Sequence, residues 1–375
     1  MILKSLFILL FTLSLMGDEY DLDMEDFEPK AYEYSGYLRI DNRAQQLRET
    51  EKNFQNYLHL EALFDFQYFY ELFTFKSSLM ATYDYIEDKI ETDDFPVNEL
   101  YIEAKLNTHH SILLGKESLQ WGKGYFFNPV AFFDRPKDPN QPTKIREGFT
   151  LSKYSYNKSY QGALKNVSLD LVYLPATDSI NKDYYQLITK NEDSHNAALR
   201  LYLLLYDTDI DIIYRYSDSV DDRIGLDFSK NIQSNFEVHG EVATRTNNDY
   251  TYLLGARYLT DFELTLISEY LYKSDGLNNK ELENSSVILP FLAKDYWLSL
   301  ITQKEPFDIV YFSIYYKNMI NMQDYSMQNR LGTAYSFKNN LNLDISYNLN
   351  SGTRKSEFGK KTVEDFLWLQ LTWNF

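Results

Sequence analysis

The sequence predicts an all-β fold, a transmembrane antiparallel up-and-down β-barrel of about 18 strands, with about 16 as the nearest alternative. Three observations carry this. Apolar and polar residues alternate with period two along most of the chain, tight connections alternate with long polar ones, and the chain closes on an alternating strand that ends in Phe375.

Composition narrows the field first. The 375 residues carry Lys+Arg 37 against Asp+Glu 55, a net charge of −18, which disfavours a nucleic-acid partner because phosphate binding needs an excess of cations. No Cys is present, which excludes a disulfide scaffold and a thiolate metal site. Nothing approaches the roughly 20 consecutive apolar residues that a spanning helix needs. Yet Tyr 33, Phe 25 and Trp 4 make 17% of the chain aromatic, so it can bury a core and is not disordered.

Residues 1–17 (MILKSLFILLFTLSLMG) place Lys4 before an apolar run and a small residue before Asp18-Glu19, the pattern of a secretory signal peptide. Residues 18–33 follow as an acidic periplasmic tail with seven acids before Pro29. The barrel is expected over 34–375. A tail this short leaves no room for a plug domain, which argues against energised uptake.

The strands follow in order. Segments 34–43, 54–66 and 71–85 open the barrel: Leu58, Leu60, Ala62 and Phe64 face one side, His59, Glu61 and Asp65 the other. In 97–107, Leu100, Ile102 and Ala104 oppose Glu99, Glu103 and Lys105, and 111–121, 148–156 and 166–175 continue the alternation. Segments 195–206 and 209–217 set Ile210, Ile212 and Tyr214 against Asp209, Asp211 and Arg215. After 222–229 comes 232–245, where Phe236, Val238 and Val242 oppose Glu237, His239 and Glu241. The series ends with 250–259, 262–272, 296–303, 308–317, 326–336, 341–350 and 363–375. No sustained apolar stripe at helical spacing competes with it.

Connections 67–70, 108–110, 207–208, 230–231, 260–261, 304–307 and 337–340 are tight, and only 157–165 on that side is longer. On the other side 86–96, 122–147, 176–194, 273–295 and 351–362 are long. That segregation is how outer-membrane barrels are built. Rings near strand ends, such as Tyr83, Tyr214, Tyr258 and Tyr272, suit the headgroup levels.

In the last strand Leu367, Leu369, Leu371, Trp373 and Phe375 share one face. This run resembles the closing-strand signal of Gram-negative outer-membrane proteins. The resemblance implies an outer-membrane location, lipid on the outer face, and recognition by the barrel assembly machinery.

One connection carries more. It reads Gly115-Lys116-Glu117-Ser118-Leu119-Gln120-Trp121-Gly122-Lys123-Gly124 and continues to Asn128-Pro129. The loop at 122–147 holds four of the nine Pro, which fix φ and stiffen it. The stretch at roughly 100–150 resembles a group of outer-membrane barrels with a G-[KR]-x4-W-G-x-G motif followed by N-P, a group that includes the alginate-export-like porins. The resemblance implies an inward-folding loop, with Lys116, Trp121, Lys123 and Asn128 at a pore constriction. Asp134, Arg135 and Arg146 join them as charges on the same loop. The polar faces mix signs: Arg200, Arg215, Arg245 and Arg257 accompany Glu237 and Glu241 as lumen charges. Mixed signs argue against a polyanionic solute, and such charges also pair across strands to stiffen a wall.

Enzymatic readings are weaker. His109-His110-Ser111 resembles a fragment of the outer-membrane phospholipase nucleophile motif without its surroundings, and it falls at a periplasmic turn. No catalytic residue, metal ligand set or cofactor motif is expected. The expectation is a channel for passive, selective passage of small polar or amphipathic solutes. The alternative is a non-conducting surface barrel that binds glycan or a partner through its outer loops.

Overall fold

The computed structural model describes residues 30–48, 54–86, 89–246, 248–284 and 291–375. The signal peptide and nearly all of the acidic tail lie outside the described residues.

Every described strand joins one antiparallel sheet. The first staves are β1 (Tyr32–Leu47), β2 (Phe54–Tyr70) and β3 (Phe73–Ile86). Next comes β4, built from two pieces, Lys89–Asp94 and Val97–Lys105, then β5 (His110–Glu117), β6 (Phe149–Ser159) and β7 (Leu164–Ala176). Staves β8 (Ser194–Leu205), β9 (Thr208–Ser217), β10 (Arg223–Gln233), β11 (Phe236–Arg245) and β12 (Tyr250–Leu259) follow. The last are β13 (Leu264–Lys273), β14 (Asp295–Lys304), β15 (Phe312–Asn321), β16 (Met327–Ser336), β17 (Leu341–Ser351) and β18 (Val363–Asn374). Both pieces of β4 pair with β3, so the 19 strands of the sheet make 18 staves. Pro96 causes the break because it has no N–H to give, although its carbonyl still accepts the N–H of Met80 at 3.0 Å.

The sheet closes on itself. β18 pairs with β17 on one side and β1 on the other, and Gly36 and Phe375 exchange backbone hydrogen bonds of 3.0 Å at the seam. Closure leaves no free edge at the seam, the condition for a sheet in lipid. A Cβ on Gly36 would lie 2.3 Å from the Leu63 carbonyl and 2.7 Å from the Phe375 ring, so only glycine fits there.

Alternation sets the two surfaces. Leu367 is 51% exposed on the outside while Trp368, one residue on, is buried at 3%. Ile212, Tyr214 and Tyr216 face out, and Asp211, Ile213 and Arg215 face in and are buried.

The structure corrects several boundaries. The tight turns expected at 67–70 and 230–231 are strand, and the chain turns instead at 71–72 and 234–235. The connection expected at 86–96 is largely strand, the first piece of β4. The turn between β6 and β7 is tight, residues 160–163, although 157–165 reads as a longer connection. The turn after β14 is longer than expected because it holds a 3-10 turn, Pro306–Asp308, with Glu305, Phe307, Asp308 and Tyr311 at positive φ. Strand β5 stops at Glu117, short of Trp121, because Gln120 and Gly122 at positive φ swing the chain away from the wall. The long connections 176–194 and 273–295 hold short helices, α1 (Lys182–Leu187) and α2 (Asn279–Asn284).

Candidate functional site: a loop laid across the lumen

The connection from β5 to β6, residues 118–148, folds into the barrel and reaches opposite walls. On the near side Trp121, Val130, Phe132 and Phe133 are buried with Leu113, Leu151, Val172 and Ile213 of the wall. On the far side Phe126 and Phe127 are buried with Leu253, Leu271, Tyr296, Leu298 and Met319. Burying a large apolar side chain is worth about 1.5–3 kcal/mol, so these rings fasten the loop firmly.

Between the two clusters, carboxylates of the wall hold the loop backbone. Glu241 on β11 accepts the N–H groups of Lys123 and Gly124 at 2.7 Å each and that of Val130 at 3.2 Å. Glu269 on β13 accepts the N–H of Phe126 at 3.1 Å, that of Tyr125, and a contact from His239 Nε2 at 3.0 Å. Tyr125 donates its hydroxyl to Glu237 at 2.9 Å. Gly122 sits so close to Glu241 that an added Cβ would lie 2.8 Å from its carboxylate. Cations complete the lacing. Lys317 on β15 donates to the carbonyls of Pro139 (2.9 Å) and Asn140 (3.0 Å), and Lys144 of the loop lies 3.4 Å from Glu61 on β2.

The expected constriction residues divide into several roles. Lys123 projects to the wall, 2.9 Å from Asp211, with its charge 5.4 Å from the Tyr202 ring. Trp121 is a buried anchor, with the Arg200 guanidinium 5.9 Å from its ring. Asn128 organises the loop, its side-chain oxygen accepting the N–H of Lys137 at 3.0 Å. Asp134 does likewise, accepting from Gln120 (3.0 Å) and Trp121 (2.9 Å), and burial pushes its carboxyl above the ordinary range. Arg135 pairs with Glu147 (2.9 Å) and with Asp183 of α1 (2.6 Å). Arg146 carries a buried Nε without a hydrogen-bond partner among the described residues.

Lys116 is a correction. It pairs across to the outward-facing Leu100 and shares the outer face of β5 with Ile112 and Leu114, so it sits at the rim, bonded to Glu147, and not over the lumen. Among the lumen charges, Arg200 makes a two-pronged pair with Asp211 (2.8 and 3.2 Å), and Arg257 stands directly opposite Glu237. His109 and His110 lie at the short-turn end, where His110 meets the Tyr154 hydroxyl at 2.6 Å.

Two of the pockets beside the loop are lined by charges of the inner wall. One, of about 440 Å3, lies at the long-loop mouth and is lined by Arg215, Arg223, Arg245 and Lys190, by Glu192 and Asp221, and by Ile188 and Val220. The other, of about 290 Å3, lies nearer the short turns between the loop residues Asn140 and Lys144 and the wall residues Arg39, Lys317, Arg330 and Asp344. A sequence signal for the docking surface exists: Ile213 and Leu253 are apolar residues on otherwise polar faces, Leu271 and Leu298 share theirs with Ile267 and Leu300, and these residues lie beneath the loop or the segments beside it.

No protein-family model and no curated protein matches the sequence. Solved structures do match. OpdQ from Pseudomonas aeruginosa superposes with a TM-score of 0.61 at 10% identity, covering 92% of this chain and 99% of that one. OccAB4 from Acinetobacter baumannii gives 0.60 at 7% identity over 93% and 99%. OccAB3 from the same organism gives 0.57 at 11% identity over 92% and 99%. The likeness is one of fold, and the fold is the closed 18-stranded barrel of outer-membrane porins.

Proposed function

We propose that the chain is an outer-membrane channel for passive, selective passage of small polar or amphipathic solutes. The observation that carries this reading is the loop at 118–148, held inside a closed barrel by Glu241, Glu269 and Lys317. A structural plug needs only apolar packing. Here charged wall residues reach the loop backbone, and charged pockets lie on both sides of it. The motif from Gly115 to Pro129 supports reading it as the constriction loop of the alginate-export-like group. The wall mixes Arg200 and Asp211, Arg330 and Asp344, which supports a compact solute over a polyanion. We also infer that the strand ending in Phe375 is the segment that the barrel assembly machinery reads. The folded chain in liposomes is expected to admit neutral sugars up to a size limit. Equal exclusion of the smallest and the largest would contradict the proposal.

A further inference from the structure

Strands β9, β10 and β11 stack like charges in two rows on the inner wall. Asp211, Asp227 and Glu241 stand directly opposite one another, and so do Arg215, Arg223 and Arg245. Cross-strand neighbours have Cβ atoms about 4.5–5.5 Å apart, and like charges so placed repel. The rows lie four residues apart along each strand, roughly 13 Å at about 3.3 Å per residue. Between them runs the rung Ile213, Gly225 and Ala243. It is apolar and covered, since a Cβ on Gly225 would lie 3.0 Å from Val130 and 3.1 Å from Phe132. The rows therefore cannot neutralise each other.

The acidic row is answered by the protein at its two ends. Arg200 and Lys123 pair with Asp211, and three loop N–H groups converge on Glu241. Asp227 between them has no hydrogen-bond partner for either oxygen among the described residues. The basic row is answered only at its edges. Arg245 lies 3.3 Å from Asp275 and 3.9 Å from Asp249, and Arg215 donates to the Tyr184 hydroxyl at 3.1 Å and to the Asp221 carbonyl. The central Arg223 has no ion pair among the described residues, and its guanidinium lies 5.7 Å from the centre of the Phe132 ring. Arg215 is 1% exposed, yet its Nε has no partner among the described residues. All three line the mouth-side pocket, which is large enough for a small molecule.

We propose that Arg215, Arg223 and Arg245 form a binding site for a compact, multiply charged oxyanion at the outer mouth, above the loop. Guanidinium groups take carboxylate and phosphate oxygens two at a time, so an anion lying over Arg223 relieves the repulsion along the row. The site deepens the channel reading, because such an anion would dock before reaching the loop.

The test is calorimetric titration of the full, detergent-folded chain with inorganic pyrophosphate and, separately, succinate, with sucrose as the neutral control. Saturable binding of either anion, weakened at least tenfold in Arg223→Gln and partly retained in Arg223→Lys, is expected, and the tighter probe identifies the preferred group. Arg245→Gln gives the same comparison if Arg223→Gln fails to fold. No saturable anion binding, or binding unchanged in the Gln variants, would overturn the site. Bilayer conductance of the same sample separates the two readings. Conduction without anion binding sinks this proposal alone, whereas anion binding without conduction sinks the channel and leaves the site standing.

Discussion

Glu241 Oε1 accepts the backbone N–H of Gly124 at 2.7 Å, and through this contact strand β11 holds the middle of the inward loop. The same carboxylate also serves Lys123 and Val130, so one side chain satisfies three donors that would otherwise be buried without partners.

Glu241→Gln removes that capacity, because an amide offers one acceptor oxygen and turns its NH2 toward N–H groups. Each buried donor left unsatisfied costs about 1–3 kcal/mol. The barrel is expected to remain folded while the loop loosens. Limited proteolysis will show faster cutting between 118 and 148, and single-channel current will become larger and noisier.

Lys123→Ala deletes the 2.9 Å contact to Asp211 and leaves that carboxylate to Arg200. A hydrogen bond to a charged group is worth about 1.5–3 kcal/mol, so loop docking weakens by roughly that amount. Removing a cation from the loop is expected to shift the reversal potential in a salt gradient toward cation permeation.

Gly36→Val tests the seam. The new side chain meets the Leu63 carbonyl and the Phe375 ring, and β1 cannot approach β18. Overpacking of this kind costs about 1–3 kcal/mol where a core can adjust, and more where the obstacle is backbone. The folded band seen on electrophoresis without heating will be lost or much reduced.

Asp134 gives a pH dependence. Burial raises its folded carboxyl above the unfolded value, against the N–H groups of Gln120 and Trp121 and the charge of Arg146. The protonated form is thus favoured in the folded loop. The contribution is full below the ordinary carboxylate range and is lost as pH rises through the raised value. Relative to Asp134→Asn, which does not titrate, the native chain will gain thermal stability as pH falls from 7 to 4. A flat difference between their melting temperatures would contradict the assignment.

Much of the fold is legible in sequence because a barrel wall has a single period. Leu367 and Trp368 differ by one residue and face lipid and lumen, as alternation requires. The inward loop is legible in its prolines and in Gly122, but its docking surface is hidden until Ile213 and Leu253 are recognised as apolar residues on wet faces. Lys116 shows the limit of resemblance: the period that sends Ile112 and Leu114 outward sends Lys116 outward too. The row of Arg215, Arg223 and Arg245 is beyond periodicity. It depends on register between strands, which the geometry of the turns at 218–222 and 234–235 decides.

The most direct measurement is single-channel recording in planar bilayers of the folded chain beside a variant in which a short Gly-Ser link replaces residues 119–147. Glu117 and Phe149 are directly paired, so such a link can close the gap between β5 and β6. The account predicts discrete, reproducible conductance steps from the native chain and several-fold larger steps from the variant. A native chain that folds and inserts but never conducts, or a variant whose steps match the native ones, would contradict it.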